Sequence, residues 1–297
     1  MKAYVRALRL ERWPRSTVIL LGSAGFFFLH RDFLQAFSLP TILFRLLLSF
    51  LLTWGISTAN YVINEIVDVP YDAHHPVKRH RPLVTGEINK TSFILAGVVL
   101  TLSCLGLAAA TFSRPFFLAL LSLLVAGFVY NIRPIRTKDI PFLDAISESV
   151  NNPIRFLIGW YAFSPTALFP PVSLLVCWWS FGAFLMEAKR LSEFRLLKEN
   201  AANYRASHKK YTRLSLLAGM ASSALVFLAS YGYFGISQRL AFLLYASPVL
   251  LLYLYLFFHK TLREKEIMEE PETLLLHPLI ALFTLALLFL FALAFFL

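Results

Sequence analysis

Asn60, Asn64, Asp68 and Asp72 recur every four positions at the end of a long apolar run. On an α-helix, residues four apart differ by about 40° in direction, so these side chains form a ladder along one face. Two carboxylates with an amide oxygen suit Mg2+, a hard cation that keeps several waters free for a substrate phosphate. The candidate ligands on this face are Asp68 and Asp72 with an amide oxygen from Asn60 or Asn64. A solvated helix end, where Asp and Asn are common, is the plainer reading. Pro70 is expected to bend or end the helix there. Lys78, Arg79 and Arg81 follow at once. Arg presents a planar fork to phosphate oxygens and Lys a point charge. A basic loop held inside by topology would tolerate its charges in any order, whereas carboxylates trailed directly by cations favour a diphosphate. His74, His75 and His80 read as loop residues rather than ligands.

Two further basic elements stand downstream. The stretch from Tyr130 through Arg133 and Arg136 to Lys138 leads into Asp144 and, by itself, is an ordinary short basic loop. Glu187, Lys189, Arg190 and Glu193 have helical spacing that allows the pairs Lys189–Glu193 and Glu187–Arg190. They read either as a self-paired helix surface or as a second charged wall with Lys189 and Arg190 on a phosphate. Arg155 lies half-way along an apolar run, where a lone charge costs several kcal/mol on most scales. It must pair, for instance with Glu148, or face a polar substrate cavity. The sequence contains no P-loop, GxGxxG or GxSxG element. Its two cysteines, Cys104 and Cys177, sit in apolar runs and read as packing residues.

The elements that must hold these groups are membrane helices. Of 297 residues, 58% are hydrophobic and only 15% charged, and mean hydropathy is +0.65. Soluble domains carry about a quarter charged residues. Runs of about 17–25 apolar residues fall near 16–36, 42–63, 92–112, 116–131, 143–164, 170–186, 214–235, 240–258 and 276–297. They predict an all-α polytopic membrane protein with nine transmembrane helices as one domain over 16–297. Residues 1–15 are basic and amphipathic and are expected to lie on the membrane surface. With nine spans, one side of the membrane carries 23 of the 28 Lys and Arg residues and the other carries 4, Arg155 being intramembrane. The positive-inside rule then puts the N-terminus and the charged motifs in the cytoplasm and the C-terminus outside a cell (inner) membrane. The net charge of +11 fits this topology, anionic lipid headgroups and an anionic substrate; nucleic acid is not an expected partner.

Together, Asn64-xxx-Asp68-xxx-Asp72, the Arg-Pro-Leu-xxx-Gly element from Arg81 to Gly86, and the Tyr130…Lys138 loop resemble the UbiA superfamily of intramembrane prenyltransferases. HPVKRHRPLVTG, KDIPFLD, Lys189-Arg190-xx-Glu193 and NYRASHKKYT resemble its decaprenyl-phosphate phosphoribosyltransferase branch, in which Lys-Arg-xx-Glu stands in place of a second Asp-rich motif. Glu65 departs from the Asp usual there, and Ser149–Arg155 replaces a Gly-containing segment. The resemblance implies a UbiA-like bundle with a cytoplasmic active-site cavity. It also implies a Mg2+-dependent transferase that moves 5-phosphoribose from phosphoribosyl diphosphate to a polyprenyl phosphate. In that reading Asp68, Asp72, Lys138 and Glu193 are catalytic. Asn60, Lys78, Arg79, Arg81, Tyr130, Arg155, Lys189 and Arg190 bind substrate. The partners are then a polyprenyl phosphate or diphosphate lipid, a diphosphate-bearing donor and the bilayer; the oligomeric state is open. A prenyltransferase using a polyprenyl diphosphate donor is the alternative, and an anion transporter the alternative of another class.

Overall fold

The structure, a computed structural model, describes residues 2–73, 78–164, 168–197, 206–263, 277, 278, 280–286 and 289. In chain order the helices are α1 (Lys2–Ala7), α2 (Val18–Leu29), α3 (Leu39–Asp72), α4 (Lys90–Thr111), α5 (Arg114–Asn131), α6 (Leu143–Ser149), α7 (Asn151–Tyr161), α8 (Val172–Leu197), α9 (Arg213–Ser237), α10 (Ala241–Tyr245) and α11 (Ser247–Arg263). Among the described residues five, α3, α4, α5, α8 and α9, are long and apolar enough to cross a membrane. The ninth expected span, His74, His75 and Asn203–Arg205 lie wholly or largely outside the described residues.

The chain forms two compact units. The first holds Met1–Ile140 with Val150–Pro170, and the second Pro141–Ser149 with Pro171–Leu297. The chain passes between them at the fifth expected span, which is interrupted between α6 and α7. Pro153, in the first turn of α7, has no N–H to donate to Ser149, so the hydrogen-bond ladder lapses there.

In the first unit, α3 is the axis. Its 34 residues rise about 51 Å, well beyond the roughly 30 Å of a hydrocarbon core. One end must therefore leave the lipid or be enclosed in protein, and the polar end carries the ladder. Ser38 caps the start, accepting from the Thr41 N–H at 3.4 Å. Pro70 does not end the helix, which runs two residues further, to Asp72. α2 and α7 touch backbone to backbone: a Cβ on Gly22 would lie 2.0 Å from the Phe156 carbonyl oxygen, and Ser23 Oγ donates to the Gly159 carbonyl at 2.9 Å. Small residues allow such approach in membranes, where packing rather than hydrophobicity drives association. The segment 1–15 belongs to this unit. Ala7 is buried beside Val62, Leu83, Ile88 and Phe93, with Tyr4 packed against them.

In the second unit α8 packs along α9 and α6. Phe184, Leu185, Met186, Leu191, Leu216, Met220 and Phe257 form the core.

Candidate active site

In the first unit the ladder meets the loop after α5. Lys138 Nζ donates to Asp68 Oδ1, to Asn131 Oδ1 at 3.0 Å and to Asn64 Oδ1 at 3.4 Å. The Tyr130 ring lies 5.9 Å from the same ammonium. Arg136, held by the Asn131 carbonyl at 3.0 Å and Asp139 at 2.9 Å, reaches Asp68 at 3.2 Å and covers the Tyr71 ring. Arg81 pairs with Asp72 and stands 3.5 Å from Glu65. Arg9 Nε donates to Glu65 at 2.7 Å, tying the N-terminal segment to α3. Lys78 is close enough to Asp72 to act on its charge. Arg79 faces solvent, 3.2 Å from His80.

Asn64, Asp68 and Asn131 thus turn three oxygens onto one cationic atom. That donor set fits a hard cation such as Mg2+. Among the described residues no three His, Cys, Asp or Glu side chains come together as a metal cage. A metal held here would take the rest of its shell from water and phosphate, as Mg2+ does.

Asn60 and Arg155 lie deeper in the first unit. Asn60 Nδ2 donates to the Leu123 carbonyl at 2.8 Å, and its amide fills the notch at Gly127, where a Cβ would stand 2.1 Å from Asn60 Oδ1. Its Nδ2 thereby staples α3 to α5, while its buried Oδ1 has no hydrogen-bond partner among the described residues. Arg155, only 7% exposed, donates to Ser57 Oγ at 3.4 Å.

In the second unit Arg190 is 0% exposed. Its Nε, Nη1 and Nη2 donate to Asp144 at 2.6 Å, Glu193 at 3.1 Å and Glu148 at 2.8 Å. His208 Nε2 lies 3.0 Å from Glu193, and Ser207 Oγ 3.2 Å from Asp144. Tyr211 donates to Asp144 at 2.5 Å and accepts from the Phe142 N–H at 2.7 Å. Burial and the Asp144 charge push the Tyr211 phenol up, so it stays a donor. Arg190 therefore organises carboxylates. In this arrangement its Nε, Nη1 and Nη2 each face a carboxylate. Its i,i+3 partner is Glu193, while Glu187 turns toward Ser223 and Gly219. Glu148 salt-bridges to Arg190. Lys189, on the same helix, is half-buried.

Sequence spacing finds the ladder, Lys138 and Arg81, and it singles out Lys189, Arg190 and Glu193 but pairs Arg190 with Glu187 rather than with Glu193. It does not find Arg9, Glu65, Asn131 and Arg136, nor Ser207, His208 and Tyr211. These join partners up to 69 residues away in the chain, which no local periodicity reports.

The model of the UbiA prenyltransferase family matches residues 23–274, and the chain belongs to that family. It is therefore an integral membrane protein and a transferase of that family. It is 23% identical over 241 residues to a decaprenyl-phosphate phosphoribosyltransferase of Mycolicibacterium smegmatis, covering 79% of this chain and 70% of the relative. It is 23% identical over 234 residues to the protein of that name from Mycobacterium tuberculosis, covering 77% and 72%. These relatives bear the name of the branch that the motifs resemble. The fold is that of a UbiA homolog from Archaeoglobus fulgidus. The structure of that protein bound to DMAPP and Mg2+ aligns at TM-score 0.70 and 22% identity, over 97% of this chain and 98% of that one. Its complex with GPP and Mg2+ aligns at 0.68 and 21%, over 99% and 100%.

Proposed function

We propose that the chain transfers 5-phosphoribose from phosphoribosyl diphosphate to a polyprenyl phosphate in a Mg2+-dependent reaction. The observation that carries this reading is the oxygen cradle of Asn64, Asp68 and Asn131 closed on Lys138. Two relatives named for this transfer support the donor and acceptor. The solved A. fulgidus protein, bound to a prenyl diphosphate with Mg2+, supports a metal–diphosphate chemistry on this fold.

Asn64, Asp68 and Asp72 would hold the metal. When bound, Mg2+ would neutralise the diphosphate and favour its departure. Lys138 would move from Asp68 to a phosphate oxygen, exchanging one anionic partner for another. Arg81 and Lys78 would take further oxygens as charge develops on the leaving group. The acceptor phosphate is already an anion, so no base is needed, and positioning supplies much of the acceleration. The surplus of basic residues on one side supports a cytoplasmic N-terminus and nine crossings of the cell membrane.

Membranes carrying the protein, incubated with ribose-labelled phosphoribosyl diphosphate and polyprenyl phosphate, should form a labelled lipid. No labelled lipid, together with consumption of a polyprenyl diphosphate by an aromatic or lipid acceptor, would establish the prenyltransferase alternative.

A further inference from the structure

Above the ladder, the same face of α3 continues through Tyr61, Ser57, Trp54 and Phe50. Spacings of three and four keep all of them, with Asn64, Asp68 and Asp72, within about 40° of one line. The groups packed on this stripe change along its length. At the apolar end Trp13, 48% exposed, stands edge-on to Phe50 at 6.3 Å, and Phe50 lies 6.2 Å from Trp54. Leu47 and Leu51 are exposed beside them. In the middle, arginines gather around Tyr61. Arg12 Cζ is 5.8 Å from the ring centre, Arg15 hydrogen-bonds the side chain, and Arg155, bonded to Ser57 one turn along α3 at 3.4 Å, lies within electrostatic range. Arg9, 5.7 Å from the same ring, is committed to Glu65. The buried Trp54 Nε1 has no hydrogen-bond partner among the described residues. At the polar end stands the oxygen cradle, with Asp68 about 10 Å along the axis from Tyr61.

We propose that Arg12, Arg15 and Arg155, around Tyr61, form the acceptor site and bind the phosphate monoester of the polyprenyl phosphate; this rests on the transfer proposed above. The order along α3 is apolar aromatics, cationic cluster, metal ladder. The reacting system has the same order: isoprenoid tail, acceptor phosphate, ribose C1, diphosphate. A phosphate oxygen attacks C1 as the bond from C1 to the diphosphate oxygen breaks. The electron pair leaves with the diphosphate, and no proton need move. Guanidinium forks match a phosphate dianion. A prenyl diphosphate donor would carry its only phosphates at the ladder and leave this cluster without a ligand.

The test uses the full chain in phosphatidylcholine nanodiscs, as wild type, Arg12→Gln/Arg15→Gln, Arg155→Gln and Arg155→Lys. Expected are a rise of tenfold or more in KM for polyprenyl phosphate in the Gln variants, a KM for phosphoribosyl diphosphate within twofold of wild type, and partial recovery in Arg155→Lys. Binding of labelled polyprenyl monophosphate without donor should fall in parallel. Polyprenol should not bind at this site, and neither inorganic phosphate nor phosphatidylglycerol should displace the label at equal concentration. Unchanged binding in the Gln variants, a KM change confined to the donor, or displacement by phosphatidylglycerol (the signature of a headgroup anchor) would each overturn the proposal. If wild type binds the lipid phosphate through these arginines yet makes no product, the site stands and the donor reading fails. If product forms and the variants match wild type, the donor reading stands and the site fails.

Discussion

The two units each hold a cluster of buried charge, and the clusters are built on opposite plans. In the first unit Asp68 is 17% exposed at its side chain, and two cations from one loop, Lys138 and Arg136, converge on it. In the second, a single guanidinium serves three carboxylates and has no exposed surface. Cations that outnumber the carboxylate they serve can be handed to another anion. A cation shared by three acids cannot leave without exposing them to each other. The first plan suits a site whose charges are redistributed when ligands bind, and the second suits a fixed frame.

The largest expected effect tests the frame. Arg190→Met leaves the buried Asp144 and Glu193, and the partly exposed Glu148, without their shared cation. Breaking a buried pair in this way costs about 3–5 kcal/mol. The detergent-solubilised variant should unfold at markedly lower temperature by fluorescence-detected size exclusion, and a Tm equal to wild type would erase the contrast. Next, Asp68→Ala should lower kcat/KM by about 10²–10³-fold, the scale of losing one preorganised electrostatic contact. The folded yield should be retained, since Arg136 and Lys138 keep Asp139 and Asn131. A variant that loses folding and activity together would make the first cluster a frame as well.

A smaller effect separates Asn60 from both clusters. Gly127→Ala presses a methyl into the Asn60 amide, an overpacking cost of about 1–3 kcal/mol. Asn60→Ala in the same chain should restore the Tm of Gly127→Ala, and failure to do so would remove the staple. Least of all, Arg6→Ala breaks an exposed pair with Glu87 and should change stability by less than about 1 kcal/mol. A larger loss would mean that the N-terminal segment is held by more than Arg9 and its apolar contacts.

Much of the first cluster is legible in the sequence because α3 carries most of its ligands at fixed spacing. Asn64, Asp68 and Asp72 share a face whatever surrounds them, and Pro70 marks the helix end to within two residues. The second cluster is less legible. Lys189-Arg190-xx-Glu193 has the look of a phosphate wall, since spacing alone does not reveal that Asp144 and Glu148 claim the guanidinium. The apolar run 143–164 reads as one span, with nothing in it to show that the chain changes units at Val150. Arg9 and Glu65 are oppositely charged residues 56 positions apart, and only the packing of Ala7 and Tyr4 onto α3 and α4 brings them together. Asn60 belongs to the ladder by period yet is drawn aside by Gly127 on a neighbouring helix.

In the proposed reaction the first cluster is where metal and diphosphate meet. The direct measurement is binding of phosphoribosyl diphosphate to the purified protein, titrated with Mg2+, for wild type and Asp68→Asn. The account predicts that Mg2+ tightens donor binding at least tenfold in wild type and has little effect in Asp68→Asn. Donor binding that ignores Mg2+, or a Mg2+ response that survives in Asp68→Asn, would contradict it.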